Sequence, residues 1–208
     1  MSKQSRKKIQ SGQNSTLKSG NGELRIIGGS WRSRKLAFPA IAGLRPTPSR
    51  IRETLFNWLM PDLPGSHCLD LFAGSGALGF EAISRGADRV TMVEKNRDIS
   101  IALQQNKKLL GADGLSILNQ DTLEAIAKLD PDDTFDIVFC DPPFNQQLIK
   151  PLIQAIDNST LLSKNAKLYI ETEKSLTQLQ IPTNWSLLKE KTAGDVRYRL
   201  IGVGEHSL

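Results

Sequence analysis

From residue 67 onward the chain alternates strand-like and helix-like stretches. Strands are predicted at 67–72, 89–94, 115–119, 135–140 and 166–171, and helices at about 77–86, 97–110, 121–129 and 146–157. Such alternation predicts an α/β fold, an open parallel sheet covered by helices on both faces. Two further strand-like runs, 184–191 and 196–203, flank a turn at Ala193-Gly194-Asp195 and predict a hairpin that adds an antiparallel strand to the sheet. No internal repeat is visible.

The front of the chain is patterned differently. Residues 1–22 are rich in Ser, Gly, Asn, Gln and Lys, which predicts a tail disordered when free. Leu24-Arg25-Ile26-Ile27 and Arg34-Lys35-Leu36-Ala37-Phe38 read as short strands around Gly28-Gly29-Ser30, a hairpin. After a Pro- and Gly-bearing linker, Thr47-Pro48-Ser49 opens a helix to about Met60, with a polar cap and a proline near its first turn. Ile51, Leu55, Trp58 and Leu59 recur there at helical spacing and are expected to face the core. The organisation expected is a basic tail (1–22), a hairpin and helix (23–60) and an α/β domain (61–208).

Composition adds little until charge is mapped. The 208 residues suit one ordinary domain with a small appendage. No apolar run has membrane-spanning length and no signal-peptide stretch opens the chain, so a cytoplasmic location is the expectation. Cys68 and Cys140 sit inside apolar runs and are expected as buried, reduced thiols. His67 and His206 lack companions at metal-ligand spacing, so no metal is expected. Charge, however, is segregated. Residues 1–60 hold 12 of the 27 Lys and Arg but two of the 22 acids, a balance of +10 that leaves −5 for the rest. A basic front on a mildly acidic body predicts a polyanionic partner.

Two motifs carry chemistry. In Asp70-Leu71-Phe72-Ala73-Gly74-Ser75-Gly76-Ala77-Leu78-Gly79, the glycines at 74, 76 and 79 form G-x-G-x-x-G between a strand and a helix, a spacing that permits close backbone approach to a ligand. Glu94 ends the next strand 20 residues after Gly74, where an acid can bind ribose hydroxyls. Both nucleotide-linked dehydrogenases and methyltransferases use that arrangement. Asp121 can either accept from an adenine amine or cap the following helix. Asp70 favours a methyltransferase: a dinucleotide site turns a helix N-terminus toward pyrophosphate, whereas S-adenosylmethionine presents a cationic sulfonium and amino group.

The second motif is Asp141-Pro142-Pro143-Phe144, directly after the strand ending at Cys140. Ligands bind at the carboxyl ends of strands in open α/β sheets, so Asp141 is expected near residues 73–76. The exocyclic amine of a base is a poor nucleophile, because its lone pair is delocalised into the ring. The Asp141 carboxylate and the Pro142 carbonyl can accept its two hydrogens and aim the lone pair at a methyl group. Pro142 and Pro143 stiffen the loop, and Phe144 offers a face on which a flipped base stacks.

With these motifs the sequence resembles class I methyltransferases, and among them the bacterial 16S ribosomal RNA guanine-N2 methyltransferases of the RsmD type. The resemblance runs from about Leu24 to Val203 and includes Arg25-Ile26-Ile27-Gly28-Gly29, Gly43-Leu44-Arg45-Pro46-Thr47, Arg52-Glu53-Thr54-Leu55-Phe56-Asn57-Trp58-Leu59 and Tyr198-Arg199-Leu200. It implies a Rossmann-like sheet with an antiparallel C-terminal strand and S-adenosylmethionine as cofactor. Asp70, Ala73, Gly74 and Gly76 would line the cofactor site, Glu94 would bind the ribose and Asp121 the adenine end, and Arg45 and Thr47 would belong to a segment closing over it. Asp141 to Phe144 would hold the guanine. Arg25, Arg32, Arg34, Lys35 and Arg50 would contact 16S rRNA, within the small subunit or an assembly intermediate. A monomer is the default expectation. The rival readings are adenine-N6 methylation of DNA or RNA, a nicotinamide-dependent oxidoreductase, and a non-catalytic RNA-binding module.

Overall fold

The computed structural model describes residues 22–144 and 147–204. Apart from Gly22, the expected basic tail lies outside the described residues.

The chain opens with β1 (Gly22–Arg25) and β2 (Lys35–Phe38), followed by α1 (Ser49–Trp58). The body runs β3 (His67–Asp70), α2 (Ala77–Ser84), β4 (Arg89–Val93), α3 (Arg97–Leu110), β5 (Leu115–Leu118), α4 (Thr122–Lys128), β6 (Phe135–Cys140), α5 (Ile149–Asp157) and β7 (Leu162–Glu173). It ends with β8 (Trp185–Ala193) and β9 (Val196–Val203). Seven strands form one sheet in the order β5-β4-β3-β6-β7-β9-β8. The first five are parallel, β9 joins β7 antiparallel, and β8 closes the edge against β9. The α/β class, the parallel centre and the antiparallel C-terminal hairpin are as the alternation predicts. No described helix is long and apolar enough to cross a membrane.

Alternation along the strands builds two cores. Cys68, Met92, Ile137, Phe139 and Tyr169 point to the face covered by α1, α2, α3 and the N-terminal hairpin. Leu69, Val93, Val138, Cys140 and Leu168 point to the face covered by α4 and α5. The helix ends follow local chemistry. Asn96 caps α3, accepting from the backbone N–H groups of Asp98 and Ile99, and Gly111 ends it in the left-handed conformation. Both cysteines are free and buried, and burial pushes the Cys68 thiol up to about 12.

Two expectations need correcting. The helix at 49–58 has no side-chain cap: Pro48 occupies the cap position, and the hydroxyl of Thr47 is engaged elsewhere. Strand β7 starts four residues earlier than expected. Leu162 pairs with Phe135, then the register shifts before Ile137 meets Lys167. The polar Ser163-Lys164-Asn165 inside this irregularity reads as loop in sequence, with Asn165 at φ 67°.

The hairpin of β1 and β2 packs into the first core through Leu24, Ile26, Leu36 and Phe38. Its connecting loop docks on the C-terminal end of α2. Ser84 donates to the Gly28 carbonyl at 2.6 Å and accepts from Trp31 N–H at 2.9 Å, while Ser30 N–H reaches the Ser84 carbonyl at 2.7 Å. Gly29 has φ 72°, and a Cβ on it would lie 1.7 Å from the Ser84 carbonyl oxygen, so only glycine lets the two backbones meet. Behind this contact lies a buried ion pair. Arg52 of α1 donates to Glu81 of α2 at 3.1 Å, with side chains 3% and 0% exposed. Glu81 also accepts from Ile27 N–H at 3.0 Å and from Arg85 at 2.7 Å. Arg52 further binds the carbonyls of Arg25 and Thr47, each at 3.0 Å. Burial pulls the Arg52 guanidinium below its ordinary value, and the charge of Glu81 acts against that shift.

Candidate active site

The carboxyl ends of four neighbouring strands bring together four carboxyl groups. Asp70 ends β3, level with Met92 and Phe139. Glu94 follows β4 and Asp141 follows β6. Glu171 lies in β7 one residue past Ile170, which pairs with Cys140, so it stands beside Asp141. None of the four joins an ion pair among the described residues. Burial raises Asp70, Asp141 and Glu171, and a cationic ligand beside them favours their charged forms.

Asp70 is 1% exposed and accepts from Gly79 N–H at 3.2 Å. Its carboxylate therefore sits at the N-terminus of α2, where an anionic ligand binds in a dinucleotide site. A pyrophosphate there would meet a carboxylate that already takes the Gly79 N–H. Burial, followed by the charges of Asp141 and Glu94, pushes Asp70 up to about 7 against the hydrogen bonds from Phe72 and Gly79.

The loop itself is well anchored. Ala73 N–H donates to the Val93 carbonyl at 2.9 Å, and Gly74 N–H donates to Glu94 Oε2 at 3.0 Å. Gly76 takes φ 79° at the start of α2, where a Cβ would crowd Phe80 and Leu103. Glu94 Oε1 accepts from Asn96 N–H at 2.7 Å. Each Glu94 oxygen so retains a lone pair, enough to accept from both hydroxyls of a ribose. Asp121 is exposed and caps α4, its Oδ1 accepting from Leu123 N–H at 3.0 Å. That leaves Oδ2 for a ligand amine.

The segment before α1 crosses this loop. Leu44 lies so close to Gly74 that a Cβ there would sit 3.3 Å from it. Three residues on, Thr47 is 7% exposed and donates to Asp141 Oδ2 at 3.4 Å. The hydroxyl thereby joins the N-terminal segment to the DPPF motif. Arg45 and Arg50 are exposed on either side of it.

Beyond Asp141 opens a cavity of about 620 Å³ lined by Pro142, Pro143, Phe144, Leu148, Glu171 and Leu176, among others. Phe144 is 36% exposed and also borders a second hollow with Lys174 and Arg197. Burial raises Asp141 to about 6, against the lowering hydrogen bond from Thr47. Two residues of this region do not stand out as site residues in the sequence: Glu171, and Arg199, which is 2% exposed. Arg199 holds one cavity wall by donating to the Leu176 carbonyl at 2.7 Å and to Thr172 at 3.1 Å. An acid and an arginine amid apolar strand residues are the signal that could have marked both.

Of the basic residues singled out in the hairpin, Arg25, Arg32, Arg34 and Lys35 are exposed. Lys35 pairs with Glu23 at 3.0 Å, and Arg34 donates to the Leu109 carbonyl at the end of α3 at 3.3 Å. The hairpin loop is docked at the end of α2 remote from Gly76, a helix length of about 12 Å from the glycine loop.

Comparison with known proteins matches this architecture. A family model described as "Conserved hypothetical protein 95" matches residues 24–202. The "Ribosomal RNA small subunit methyltransferase D" of Haemophilus influenzae is 47% identical over 181 residues, covering 86% of this chain and 93% of that protein. Its Escherichia coli K12 namesake is 45% identical over 182 residues, covering 88% and 91%. The solved structure of yhhF from Escherichia coli superposes with TM-score 0.82 at 41% identity, covering 88% of this chain and 99% of that one. SMU.776, solved in complex with SAH, shares the fold at 15% identity and TM-score 0.67.

Proposed function

Because the chain belongs to the family described as Conserved hypothetical protein 95, with the small-subunit ribosomal RNA methyltransferases D, we propose that it methylates the exocyclic N2 of a guanine in 16S ribosomal RNA. It is an S-adenosylmethionine-dependent methyltransferase of small-subunit ribosomal RNA. The observation that carries the finer reading is the position of Asp141 and Pro142, between the unpaired carboxylates around the glycine loop and the cavity walled by Phe144.

S-adenosylmethionine, when bound, supplies a methyl group activated by a sulfonium. The chain's residues do the remaining work. Gly74 and Gly76 shape the loop, Ala73 fixes it to β4, Glu94 offers lone pairs to ribose hydroxyls, and Asp121 offers its second oxygen at the adenine end. The uncompensated charge of Asp70 and its neighbours favours a cation. Arg45 and Thr47 belong to the strap across the loop. Asp141 and the Pro142 carbonyl accept the two amine hydrogens and orient the lone pair, the positioning that in-line transfer chiefly requires. Pro143 stiffens the turn and Phe144 stacks on the base.

Protonation weakens a carboxyl group as an acceptor and adds an O–H that competes for the amine. Asp141 is raised to about 6, so it is charged above that pH and neutral below it. The expected profile of kcat/KM is flat near neutrality and falls as pH drops through about 6; a profile level down to pH 5 in a stability-controlled assay contradicts the role.

We assign Arg25, Arg32, Arg34, Lys35 and Arg50 to phosphate contacts, which give affinity and position rather than base choice. Changing Arg32 and Lys35 to Ala is expected to raise KM for RNA with kcat retained. The slope of log affinity against log salt should shrink by about 1.4–1.8, one step of roughly 0.7–0.9 per lost contact. Filter binding across a salt series measures it. The function itself is tested by mass spectrometry of rRNA from a deletion strain, with free rRNA and small subunits then compared as substrates. Unchanged guanine methylation in the deletion strain refutes the reading, and a gain of N6-methyladenine signal on add-back supports the adenine rival instead.

A further inference from the structure

The cavity beside Phe144 holds a carboxyl group that the mechanism above does not use. Glu171 is 3% exposed yet lines this cavity together with Phe144 and Leu148. Tyr169 donates its hydroxyl to Oε1 at 2.7 Å, fixing the side chain. Among the described residues, nothing donates to Oε2 and no cation pairs with it. A buried carboxyl is costly to desolvate unless something pairs with it, and here the free oxygen can be met from the cavity. Burial first, and the charge of Asp141 second, push Glu171 up to about 8. At about pH 7 it is therefore mostly neutral, and a donor that reaches Oε2 favours its ionised form.

We infer that Glu171 is the specificity-determining residue of the base cavity: it accepts from N1–H of guanine, beside the amine held by Asp141, and so excludes adenine. This rests on the guanine reading proposed above. In guanine, N1–H adjoins the carbon bearing the exocyclic amine, and O6 follows on the same edge. With the amine against Asp141, that edge faces the neighbouring strand, where Glu171 stands. The ionised carboxyl accepts from N1–H through Oε2 while Tyr169 keeps Oε1, and that contact itself favours the ionised form. Adenine with its amine in the same place presents a bare N1, whose lone pair the carboxylate repels; only the neutral acid can donate to it, so the discrimination is greatest above about pH 8. A site that hydrogen-bonds its substrate rejects an analogue lacking those groups far more strongly than an apolar pocket does.

The test replaces the target guanine by 2-aminopurine, which keeps the exocyclic amine but lacks N1–H and O6. The target is first located by mass spectrometry, and small subunits are reconstituted with either base at that position. Above about pH 8, where Glu171 is ionised, the wild type should favour guanine by about a hundredfold or more. Glu171→Met, close in volume but unable to hydrogen-bond, should bring the two substrates to within about threefold. Glu171→Gln, neutral at every pH and with its amide oxygen held by Tyr169, should lose the rise in preference above about pH 8. The ratio is read both as kcat/KM and as equilibrium affinity, so a variant too slow to assay still reports. A general loss of stability lowers both substrates alike and leaves the ratio unmoved. A wild-type ratio in Glu171→Met overturns the inference. Failure of the wild type to methylate guanine on these particles is a different result, which overturns the guanine reading and the inference with it.

Discussion

Asp141→Ala is expected to lower the single-turnover rate of methyl transfer by about a thousandfold, the scale seen when a reacting group loses a preorganised hydrogen-bond partner, while leaving cofactor affinity nearly intact. The carboxylate orients the amine and shares that task with the Pro142 carbonyl, which cannot hold two hydrogens with the same geometry. The groups assigned to the cofactor keep their own anchors, Ala73 to Val93 and Gly74 to Glu94. Thr47 loses its acceptor, so the strap across the glycine loop loosens modestly. Asp141→Asn discriminates further. It keeps one acceptor oxygen for the amine and can turn its amide N–H to the Thr47 hydroxyl, so it should keep far more of the rate than Asp141→Ala. Calorimetry with S-adenosylhomocysteine and quenched single-turnover assays measure the two quantities; Asp141→Ala keeping a tenth of the rate would remove Asp141 from the reaction.

Glu81→Ala is the largest expected blow to stability. It strips a partner from Arg52, Arg85 and Ile27 N–H together. Breaking one side of a buried ion pair costs about 3–5 kcal/mol, because the surviving charge stays buried without compensation. For a chain of this size that corresponds to a fall of roughly 10 °C in Tm. The damage should be directional: Arg52 also holds the carbonyls of Arg25 and Thr47, so the hairpin and the strap should loosen before the sheet. Differential scanning calorimetry gives the shift, and limited proteolysis should cut first within residues 26–34. A Tm within about 2 °C of the parent, set against the roughly 2–4 °C expected per kcal/mol, would mean the pair is not the anchor described.

The legible part of the structure is the part written in local patterns. Strands alternating between two cores, Asn96 and Gly111 bracketing α3, and the glycine loop entering α2 are each encoded within a few residues. The two motifs are legible because open α/β sheets collect ligands at one edge, so Asp70, Glu94 and Asp141 have to converge. Less legible is anything whose partner lies far along the chain. Nothing in the sequence marks Arg52 or Glu81 as partners, although each sits among residues that prove buried, Ile51 and Leu55 for one, Phe80 and Ala82 for the other. Periodicity finds a core-facing stripe but does not say that a charge on it has a mate 29 positions away. Thr47 reads as part of a helix start and instead reaches Asp141, a contact that spans 94 positions. Glu171 lies in a strand whose pattern gives its faces but not the cavity at its end.

The docking of the hairpin loop at the far end of α2 has a consequence for the kind of molecule this enzyme can serve. On the proposed assignment of its arginines to RNA, grip and cofactor are separated by a rigid rod, with the basic loop at one end of α2 and the glycine loop at the other. A nucleic acid would then gain the full binding energy only if its phosphates and its extruded base match that fixed spacing, and the protein would behave as a caliper. Free nucleosides and short oligonucleotides would forgo the remote contacts, whereas a folded RNA of the right width would close both jaws at once.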